Sequence, residues 1–408
     1  MQQTLRWFGP EDTVTLENIS QAGATGVVTS LHHIKTGDIW PLEEINKRKK
    51  EIESYDLNWS VVESIPLHND IKTYKGSCKE YINNYKKSVQ NVGKAGIKLI
   101  CYNFMPVIDW TRTNLRFKLP NGSYALRFDM SDFAAYDIYI LRRKNAIHDY
   151  NAVVREKAEK RYTSLNKDDI DELEKNIISG LPGGEGSYTR KEILSEINCF
   201  IKLGTEGYRN NLFSFLQEII PVAEQSGVKM CIHPDDPPFS LFGLPKVVSN
   251  PDDVRKLLAA FPSISNGLTM CVGSYGAGYD NELIKMIKEF GSHIHFAHLR
   301  NIIKEPDGSF YESDHLSGDN NMYEIISEVL DEEQNRSKIG RMDIIPMRPD
   351  HGHLIGDEVY QKGINPGYSF AGRLKGLGEL RGVIYTLDKI KNRHKESQPH
   401  IPNGKKTS

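Results

Sequence analysis

Cysteine is scarce in this chain and charge is nearly balanced, and both features narrow what the protein can be. The 408 residues include five cysteines, an odd number that does not match a disulfide framework and fits a reducing compartment. The formal net charge is −2, so no basic field favours nucleic acid or an anionic membrane. The sequence contains no signal-peptide pattern and no run of roughly 18 apolar residues. We therefore expect a cytoplasmic enzyme that binds neither nucleic acid nor membrane.

Motifs for nucleotide binding and for a serine or cysteine nucleophile are also absent. The Gly-rich segments SYGAGYD (274–280) and LPGGEG (181–186) do not continue into GK[ST], so neither is a P-loop. No GxGxxG follows a predicted strand, and no Gx[SC]xG nucleophile elbow occurs. A nucleotide cofactor is not expected, and any chemistry is expected to be metal-assisted.

Eight short apolar runs, rich in β-branched or aromatic residues, alternate with amphipathic helical segments. Nearly continuous apolar strands that alternate with helices indicate parallel strands covered on both faces. Eight such strands in one chain predict an α/β fold, the closed (β/α)₈ TIM barrel. The predicted strands are residues 4–8, 26–31, 59–64, 98–104, 228–234, 267–273, 294–300 and 342–348.

The connection after the fourth strand, residues 105–200, is too long for a simple crossover. Its pattern predicts a long helix over 129–162 and further helices over 167–180 and 191–204. A helical insertion of this length is acceptable where a structureless loop would not be, and its place after a strand predicts a cap over the active site. The chain is thus predicted to form a single barrel domain, with residues 105–200 as a helical cap. The domain boundaries are residues 1–391, followed by a polar tail over 392–408.

Strands five to eight each end in a residue that can bind a metal, namely His233, Cys271, His298 and Asp350. In a barrel, the C-terminal ends of the strands converge on one mouth, where essentially all barrel active sites lie. Two imidazoles, a thiolate and a carboxylate can hold a divalent transition metal and leave positions open for substrate. The thiolate favours zinc or iron and the carboxylate suits manganese equally well, so the residues alone do not select the ion.

Other charged residues are predicted to surround this mouth. Asp235 and Asp236 could orient the first histidine ligand, or could form a Pro-rich turn that begins an ordered active-site loop over 234–253. Arg300 and Arg348 follow predicted strands and could bind a substrate carboxylate. A solvated position on the rim of the barrel is an equal alternative for both arginines.

Several motifs together resemble the mannonate dehydratase family: LRWFGPED, CIHPDDPP, TMCVGS, HFAHLRN, and MRPDHGH followed by NPGYS and GRLKGLGELRG. The resemblance extends over essentially the whole chain, and HPDDPP with a downstream MRPDHGH is its most specific part. It implies a xylose-isomerase-like barrel and dehydration of D-mannonate to 2-dehydro-3-deoxy-D-gluconate in hexuronate catabolism. It also implies a divalent metal, usually Mn²⁺ with Fe²⁺, Co²⁺ and Zn²⁺ as alternatives, and a cytoplasmic homo-oligomer, expected here as a dimer.

Carried onto this chain, the resemblance implies the same four metal ligands that the strand ends had selected. It further implies that His351 in MRPDHGH and Tyr368 in NPGYS transfer the protons, with the acid and base roles left open between them. Asp350 would then belong both to the metal centre and to the catalytic set.

Three other functions stay open on the sequence alone. A metal-dependent sugar isomerase or epimerase would share the barrel and the metal site, but its product would keep the formula of the substrate. A metal-dependent DNA-repair nuclease can also use this type of barrel, although the near-neutral charge argues against it. A non-catalytic binding protein would leave the converging ligands without a purpose.

Overall fold

Residues 1–178 and 189–396 are described by the structure, a computed structural model, and they contain two β-sheets. The twelve strands in these residues are β1 (Gln2–Arg6), β2 (Gly26–Thr29), β3 (Asn58–Glu63), β4 (Leu99–Tyr102), β5 (Asn114–Lys118), β6 (Tyr124–Phe128), β7 (Lys229–Ile232), β8 (Asn266–Cys271), β9 (Ile294–His298), β10 (Ile302–Lys304), β11 (Phe310–Glu312) and β12 (Pro346–Arg348). Eight of them are parallel and close into a barrel in the order β1-β12-β9-β8-β7-β4-β3-β2. The predicted eight-stranded barrel is therefore confirmed.

Helices pack around the barrel. Those in the described residues are α1 (Leu16–Gln21), α2 (Leu42–Glu53), α3 (Asn69–Thr73), α4 (Cys78–Lys94), α5 (Met130–Ala135), α6 (Ala152–Ser164), α7 (Lys167–Ile178), α8 (Arg190–Gln225), α9 (Pro251–Ala260), α10 (Val272–Gly276), α11 (Leu283–Phe290), α12 (Met322–Lys338) and α13 (Phe370–Glu396). In α4, Ile82, Tyr85, Val89 and Val92 recur at helical spacing and all join the hydrophobic core. Burial of such a stripe is what holds each helix against its neighbours.

The parallel register brings the candidate ligands side by side. Cys271 at the end of β8 is paired with His298 at the end of β9. His298 is in turn paired with Arg348 at the end of β12. His233, the residue after β7, donates its backbone amide to the carbonyl of Tyr102 at 2.9 Å, which extends the barrel by one residue. Since the strands are parallel, these side chains reach the same mouth.

The insertion after β4 contains a β-hairpin that the sequence did not predict. Strands β5 and β6 pair antiparallel, and β6 also pairs with β11, which belongs to the connection after β9. Together with β10 they form a four-stranded sheet in the order β10-β11-β6-β5. The insertion is therefore helical only in its later part, because its first part pairs with a segment that is distant in sequence.

The single helix predicted over 129–162 is wrong. After α5 the chain forms a short π-helix (Tyr136–Ile140) and a 3₁₀-helix (Ala146–Asp149), and only then does α6 begin. Asn145 has a left-handed backbone with φ +66°, which interrupts any α-helix. Asn151 then caps α6, its side chain accepting a backbone N–H of the first turn. Asparagine is favoured at both kinds of break.

The helices predicted over 167–180 and 191–204 correspond to α7 and to the first part of α8. The second of these does not end where predicted, since α8 continues beyond Gly204. Gly204 has φ +65° and interrupts the regular helix, so α8 consists of two helical parts with a kink between them. Residues 179–188, which include the predicted break at LPGGEG, lie outside the described residues.

The C-terminal part of the chain packs as a long helix. Helix α13 reaches Glu396, so the polar tail predicted over 392–408 begins within a helix, and its remainder lies outside the described residues. Among the helices that the structure describes, none combines the length and apolar character needed to cross a membrane. The division into a barrel domain over 1–391 with a cap stays a prediction.

Candidate metal centre and active site

Three of the predicted metal ligands meet at the barrel mouth. His233 follows β7, Cys271 ends β8 and His298 ends β9, and their ligand atoms all lie within 4.8 Å of one another. In the parts of the chain that the structure describes, this is the one group of three or more His, Cys, Asp or Glu side chains close enough to hold an ion. The prediction that strand ends deliver these three ligands to one place is confirmed.

The hydrogen bonding and protonation of these side chains leave them able to bind a metal ion. His298 is fully buried, and neither of its ring nitrogens makes a hydrogen bond within the described residues. Nδ1 of His233 lies 2.7 Å from the carbonyl of Pro234, which can only accept, so Nε2 carries the lone pair. Burial also lowers the pKa of His233, which favours the neutral, metal-binding imidazole. With the sulfur of Cys271, these nitrogens are a donor set that zinc, iron or manganese can use.

Asp350, the fourth predicted ligand, lies beside this group. Its Oδ2 is 3.8 Å from Nδ1 of His298, and its Oδ1 is paired with the guanidinium of Arg348. Burial alone would raise the pKa of Asp350, but Arg348 holds this pKa well below its usual range, so the carboxylate is ionised. A charged carboxylate is available next to the three ligands, and its role as a fourth ligand stays a prediction.

Glu63 at the end of β3 adds a second carboxylate to the mouth. Its Oε1 lies 3.3 Å from Nε2 of His298 and 3.1 Å from Nη2 of Arg348, and its Oε2 lies 3.1 Å from Nη1 of Arg6. Burial would raise the pKa of Glu63, but the charge of Arg348 lowers it well below its usual value. His298 therefore has an ionised carboxylate close to each of its nitrogens.

A closed ring of ion pairs stands next to the candidate metal centre. Asp236 accepts hydrogen bonds from Nη1 of Arg112 at 3.0 Å and from Nη2 of Arg300 at 2.7 Å. Glu312 accepts from the same two arginines, at 3.0 Å from Arg112 and 3.1 Å from Arg300. All four side chains are buried. Two positive and two negative charges thus neutralise one another, the arrangement in which buried charges are tolerated.

Ser274 connects this ring to the metal ligands. Its Oγ is 3.0 Å from Oδ2 of Asp236 and 3.0 Å from the sulfur of Cys271. Neither Arg112 nor Glu312 was predicted as a site residue, because Arg112 lies just before the hairpin and Glu312 ends β11, and no local pattern reveals the pairing of this sheet. Ser274 could have been noticed in the sequence. It lies three residues after the ligand Cys271, about one helical turn, and this spacing places the two side chains on the same side at the start of α10.

The two predicted proton-transfer residues lie next to each other. The rings of His351 and Tyr368 are perpendicular, with centroids 5.3 Å apart. His351 also contacts the ring of Trp110, and its Nδ1 is 3.1 Å from Oε1 of Glu312. Burial raises the pKa of Tyr368, whose ring packs edge-on against Phe8. The structure therefore brings both residues to the site, while their chemical roles stay predictions.

The loop that carries these two residues is held by the hairpin of the insertion. Gly352 pairs with Tyr368, and Leu354 exchanges two backbone hydrogen bonds with Tyr124 at 2.9 and 3.1 Å. Gly367 has φ +80°, and a Cβ there would lie 2.7 Å from the side chain of Leu126 in β6. A larger residue at this position would strain the left-handed backbone and would require the side chain of Leu126 to shift.

Asp235 has the structural role in the Pro-rich loop that the sequence left open as one of two alternatives. Its Oδ2 accepts from the backbone amides of Val247 and Val248 and from the hydroxyl of Ser249, which closes the Pro-rich loop on itself. The expected ordered loop is thus present. The hypothesis that Asp235 or Asp236 orients His233 is wrong. The imidazole is oriented by the contact of its Nδ1 with the backbone carbonyl of Pro234.

Arg300 and Arg348 are both buried, at 1% and 3% exposure, so the alternative of a solvated rim position is wrong. Arg300 is engaged by Asp236 and Glu312, and Arg348 by Glu63 and Asp350. Each guanidinium is therefore committed to two carboxylates of the protein. Their predicted contact with a substrate carboxylate stays a prediction.

Comparison with known proteins decides the family. A family model described as D-mannonate dehydratase (UxuA) matches residues 1–394. The chain belongs to the D-mannonate dehydratase family. It is 62% identical over 395 residues to a mannonate dehydratase of Saccharophagus degradans, covering 97% of this chain and 100% of the relative. It is 52% identical to mannonate dehydratase 2 of Agrobacterium fabrum, covering 95% of this chain and 98% of the relative.

A solved structure agrees with this membership. The crystal structure of a mannonate dehydratase from Streptococcus suis serotype 2 superposes with a TM-score of 0.76 and 32% sequence identity. The match covers 100% of this chain and 98% of the other. The family resemblance drawn from the sequence motifs is thereby confirmed, and the protein is an enzyme of the hydro-lyase class.

Proposed function

We propose that the protein dehydrates D-mannonate to 2-dehydro-3-deoxy-D-gluconate at the barrel mouth, as a step of hexuronate catabolism. The observation that carries the proposal is the juxtaposition of the three-ligand group with the His351–Tyr368 pair, which lie on either side of Asp350. Membership of the D-mannonate dehydratase family supplies the identity of the substrate.

A divalent metal would be held by His233, Cys271 and His298, with Asp350 as the fourth ligand. We propose Mn²⁺ as this ion, with Fe²⁺, Co²⁺ and Zn²⁺ as alternatives, since the mixed N, S and O donor set accepts each of them. Such an ion supplies Lewis acidity, which stabilises the negative charge that develops when a sugar acid loses its C2 proton.

The residues of the chain then divide the proton transfers. A base takes the proton from C2, and an acid protonates the C3 hydroxyl so that it leaves as water. The resulting enol becomes the 2-keto group of the product, so the reaction removes one water and needs no redox partner. We propose that His351 and Tyr368 fill these two roles. Both are buried beside the group of metal ligands, and neither is a member of that group.

Charge in the pocket is arranged to receive an anionic substrate. Arg300 and Arg348 are proposed to face the carboxylate of mannonate, each being already oriented by protein carboxylates. The hairpin of the insertion, which holds the loop of Tyr368, is proposed to act as the cap that excludes solvent.

The organisation of the protein completes the proposal. We infer that residues 1–391 form one domain with 105–200 as its cap, since β6 of the insertion pairs with β11 of the barrel connections. We also infer a cytoplasmic homodimer, which light scattering of the purified protein would test. No partner other than a small sugar acid is proposed.

Product analysis tests the proposed reaction. Metal-loaded protein incubated with D-mannonate should yield a 2-keto-3-deoxy acid, identified by NMR and by a mass lower by one water. A product with the formula of mannonate would instead show isomerisation or epimerisation and would overturn the proposal. Unchanged mannonate under the same conditions would overturn it as well.

A further inference from the structure

The carboxylate of Glu312 is the point at which three donors converge. Its Oε1 accepts from Nη2 of Arg112 at 3.0 Å and from Nη1 of Arg300 at 3.1 Å, and it lies 3.1 Å from Nδ1 of His351. Glu312 ends β11 and is 3% exposed, so bulk solvent does not compete for these bonds. The small sheet thus brings a buried anion against one particular nitrogen of His351.

Nδ1 of His351 has two neighbours that favour opposite protonation states of this nitrogen. Nη1 of Arg300, at 3.2 Å, can only donate, whereas Oε1 of Glu312 can only accept. Arg300 already has acceptors in Asp236 and Glu312, so it does not need the imidazole. A hydrogen bond from Nδ1–H to an ionised carboxylate is roughly twice as strong as one between neutral groups. The charge balance therefore favours a proton on Nδ1.

The ionised state of Glu312 follows from the same contacts. Burial alone would raise the pKa of this carboxyl, but the charge of Arg300 and the neighbouring His351 lower it to about 2. Arg112 is fixed in turn, since its guanidinium lies 4.8 Å from the centroids of both the Trp110 and the Phe310 rings. The anion that faces His351 is thus held in place by the insertion.

We propose that Glu312 is a positioning residue that holds His351 in the Nδ1–H tautomer and so presents the lone pair of Nε2 to the reacting atoms. Nε2 is on the side of Asp350, 3.8 Å from its Oδ1, and therefore faces the ligand group. The identity of the reaction rests on the proposed function, whereas the tautomer is a property of the resting protein. Carboxylates that orient a histidine in this way are a recurrent device of enzymes.

Nitrogen NMR of the intact protein tests the tautomer without reference to activity. Protein labelled with ¹⁵N-histidine and loaded with Zn²⁺, which is not paramagnetic, would be compared with the His351→Gln variant to assign the signals of His351. The expected spectrum shows a protonated Nδ1 and an unprotonated Nε2 at neutral pH. A protonated Nε2 with an unprotonated Nδ1 would overturn the inference.

Kinetics of Glu312→Gln provide the second test. The amide keeps the size of the side chain but removes its charge, so the tautomer is no longer enforced. We expect kcat for mannonate to fall about 10- to 100-fold while KM changes little, because Asp236 still holds Arg300 and Glu312 itself does not bind substrate. Glu305→Gln is the matched control: Glu305 pairs with Arg127 at the edge of the same small sheet and should leave both constants unchanged.

The outcomes separate this inference from the proposed function. A wild-type protein that shows the Nδ1–H tautomer but no turnover of mannonate supports the positioning by Glu312 and overturns the reaction. A Glu312→Gln variant that turns over mannonate at the wild-type kcat overturns the positioning and leaves the reaction intact. An equal loss in the Glu305→Gln control would also overturn it, since the effect would then be structural.

Discussion

Nε2 of His298 lies 3.3 Å from Oε1 of Glu63, and both side chains are buried at the C-terminal ends of β9 and β3, which lie on opposite sides of the barrel. The other ring nitrogen, Nδ1, faces Asp350 at 3.8 Å. The carboxylate of Glu63 thus faces one ring nitrogen of His298, while the other remains available to a metal. Carboxylates that hold a ligating histidine in this way raise its basicity and fix its orientation.

The first prediction concerns this contact. Replacing Glu63 by Gln should weaken divalent-metal binding by about 10- to 100-fold, because the imidazole of His298 loses its charged partner. Affinity would be measured by competition with a fluorescent chelator. Glu305→Gln, which removes a carboxylate away from the ligand group, should bind metal as the wild type does. Unaltered affinity in Glu63→Gln would show that the contact does not support the ligand.

The second prediction concerns the proton-transfer pair. His351→Gln and Tyr368→Phe should each lower kcat for mannonate by about 10²- to 10⁴-fold, the usual contribution of a general acid or base. Both variants should keep their bound metal, which elemental analysis would verify. Tyr360→Phe is the control, since Tyr360 follows His351 in the same loop and is 86% exposed. Near-normal turnover by either variant would remove that residue from the mechanism.

The third prediction concerns the buried ring of charges. Arg112→Met leaves Asp236 and Glu312 short of a partner, so the free energy of unfolding should fall by about 3–5 kcal/mol. Arg161→Met removes an arginine that is paired with Asp132 at the surface and should cost only about 0–1 kcal/mol. Urea denaturation followed by circular dichroism compares the two. Equal losses would contradict the view that Arg112 neutralises two buried carboxylates.

The fourth prediction concerns acid. The pKa of Glu312 is lowered from 4.5 to about 2, so the folded state binds this proton less readily than the unfolded state. The resulting stabilisation is complete above about pH 4.5 and should be lost as the pH falls from there toward about 2. Urea denaturation of metal-free protein at several pH values measures this loss. Glu312→Gln should show a smaller acid dependence than the wild type, and an identical dependence would refute the assignment.

The strand ends could be predicted because a short stretch of sequence is enough to define each of them. Each barrel strand is a short apolar run, and its last residue marks the barrel mouth whichever neighbours it acquires. His233, Cys271 and His298 could therefore be grouped before any contact was known. The pairing of Arg300 could not be predicted, because Asp236 comes from the connection after β7 and Glu312 is brought back to Arg300 only by the pairing of β10 with β11.

The insertion was less predictable, for two reasons. Strands β5 and β6 are short, and β5 carries exposed polar side chains; β5 is stabilised by pairing with β6, and β6 by pairing with β11, rather than by their own pattern. The helix expected over 129–162 was broken by Asn145 and Asn151, whose turn and capping preferences outweighed the continuous helical periodicity. The sequence predicted neither the hairpin nor the small sheet. It therefore did not show that Arg112, just before the hairpin, and Glu312, in the small sheet, belong to the site.

The central claim is that the group of His233, Cys271 and His298 holds the metal with which the barrel mouth dehydrates mannonate. Titration of Mn²⁺ into metal-stripped protein, with formation of 2-dehydro-3-deoxy-D-gluconate as the readout, tests it most directly. Activity should be absent without metal, rise with the metal bound and saturate at a single ion per chain. Cys271→Ser should fail to regain activity, whereas Cys199→Ser, which alters a thiol on α8, should behave as the wild type. Full turnover by the metal-stripped protein would contradict the claim.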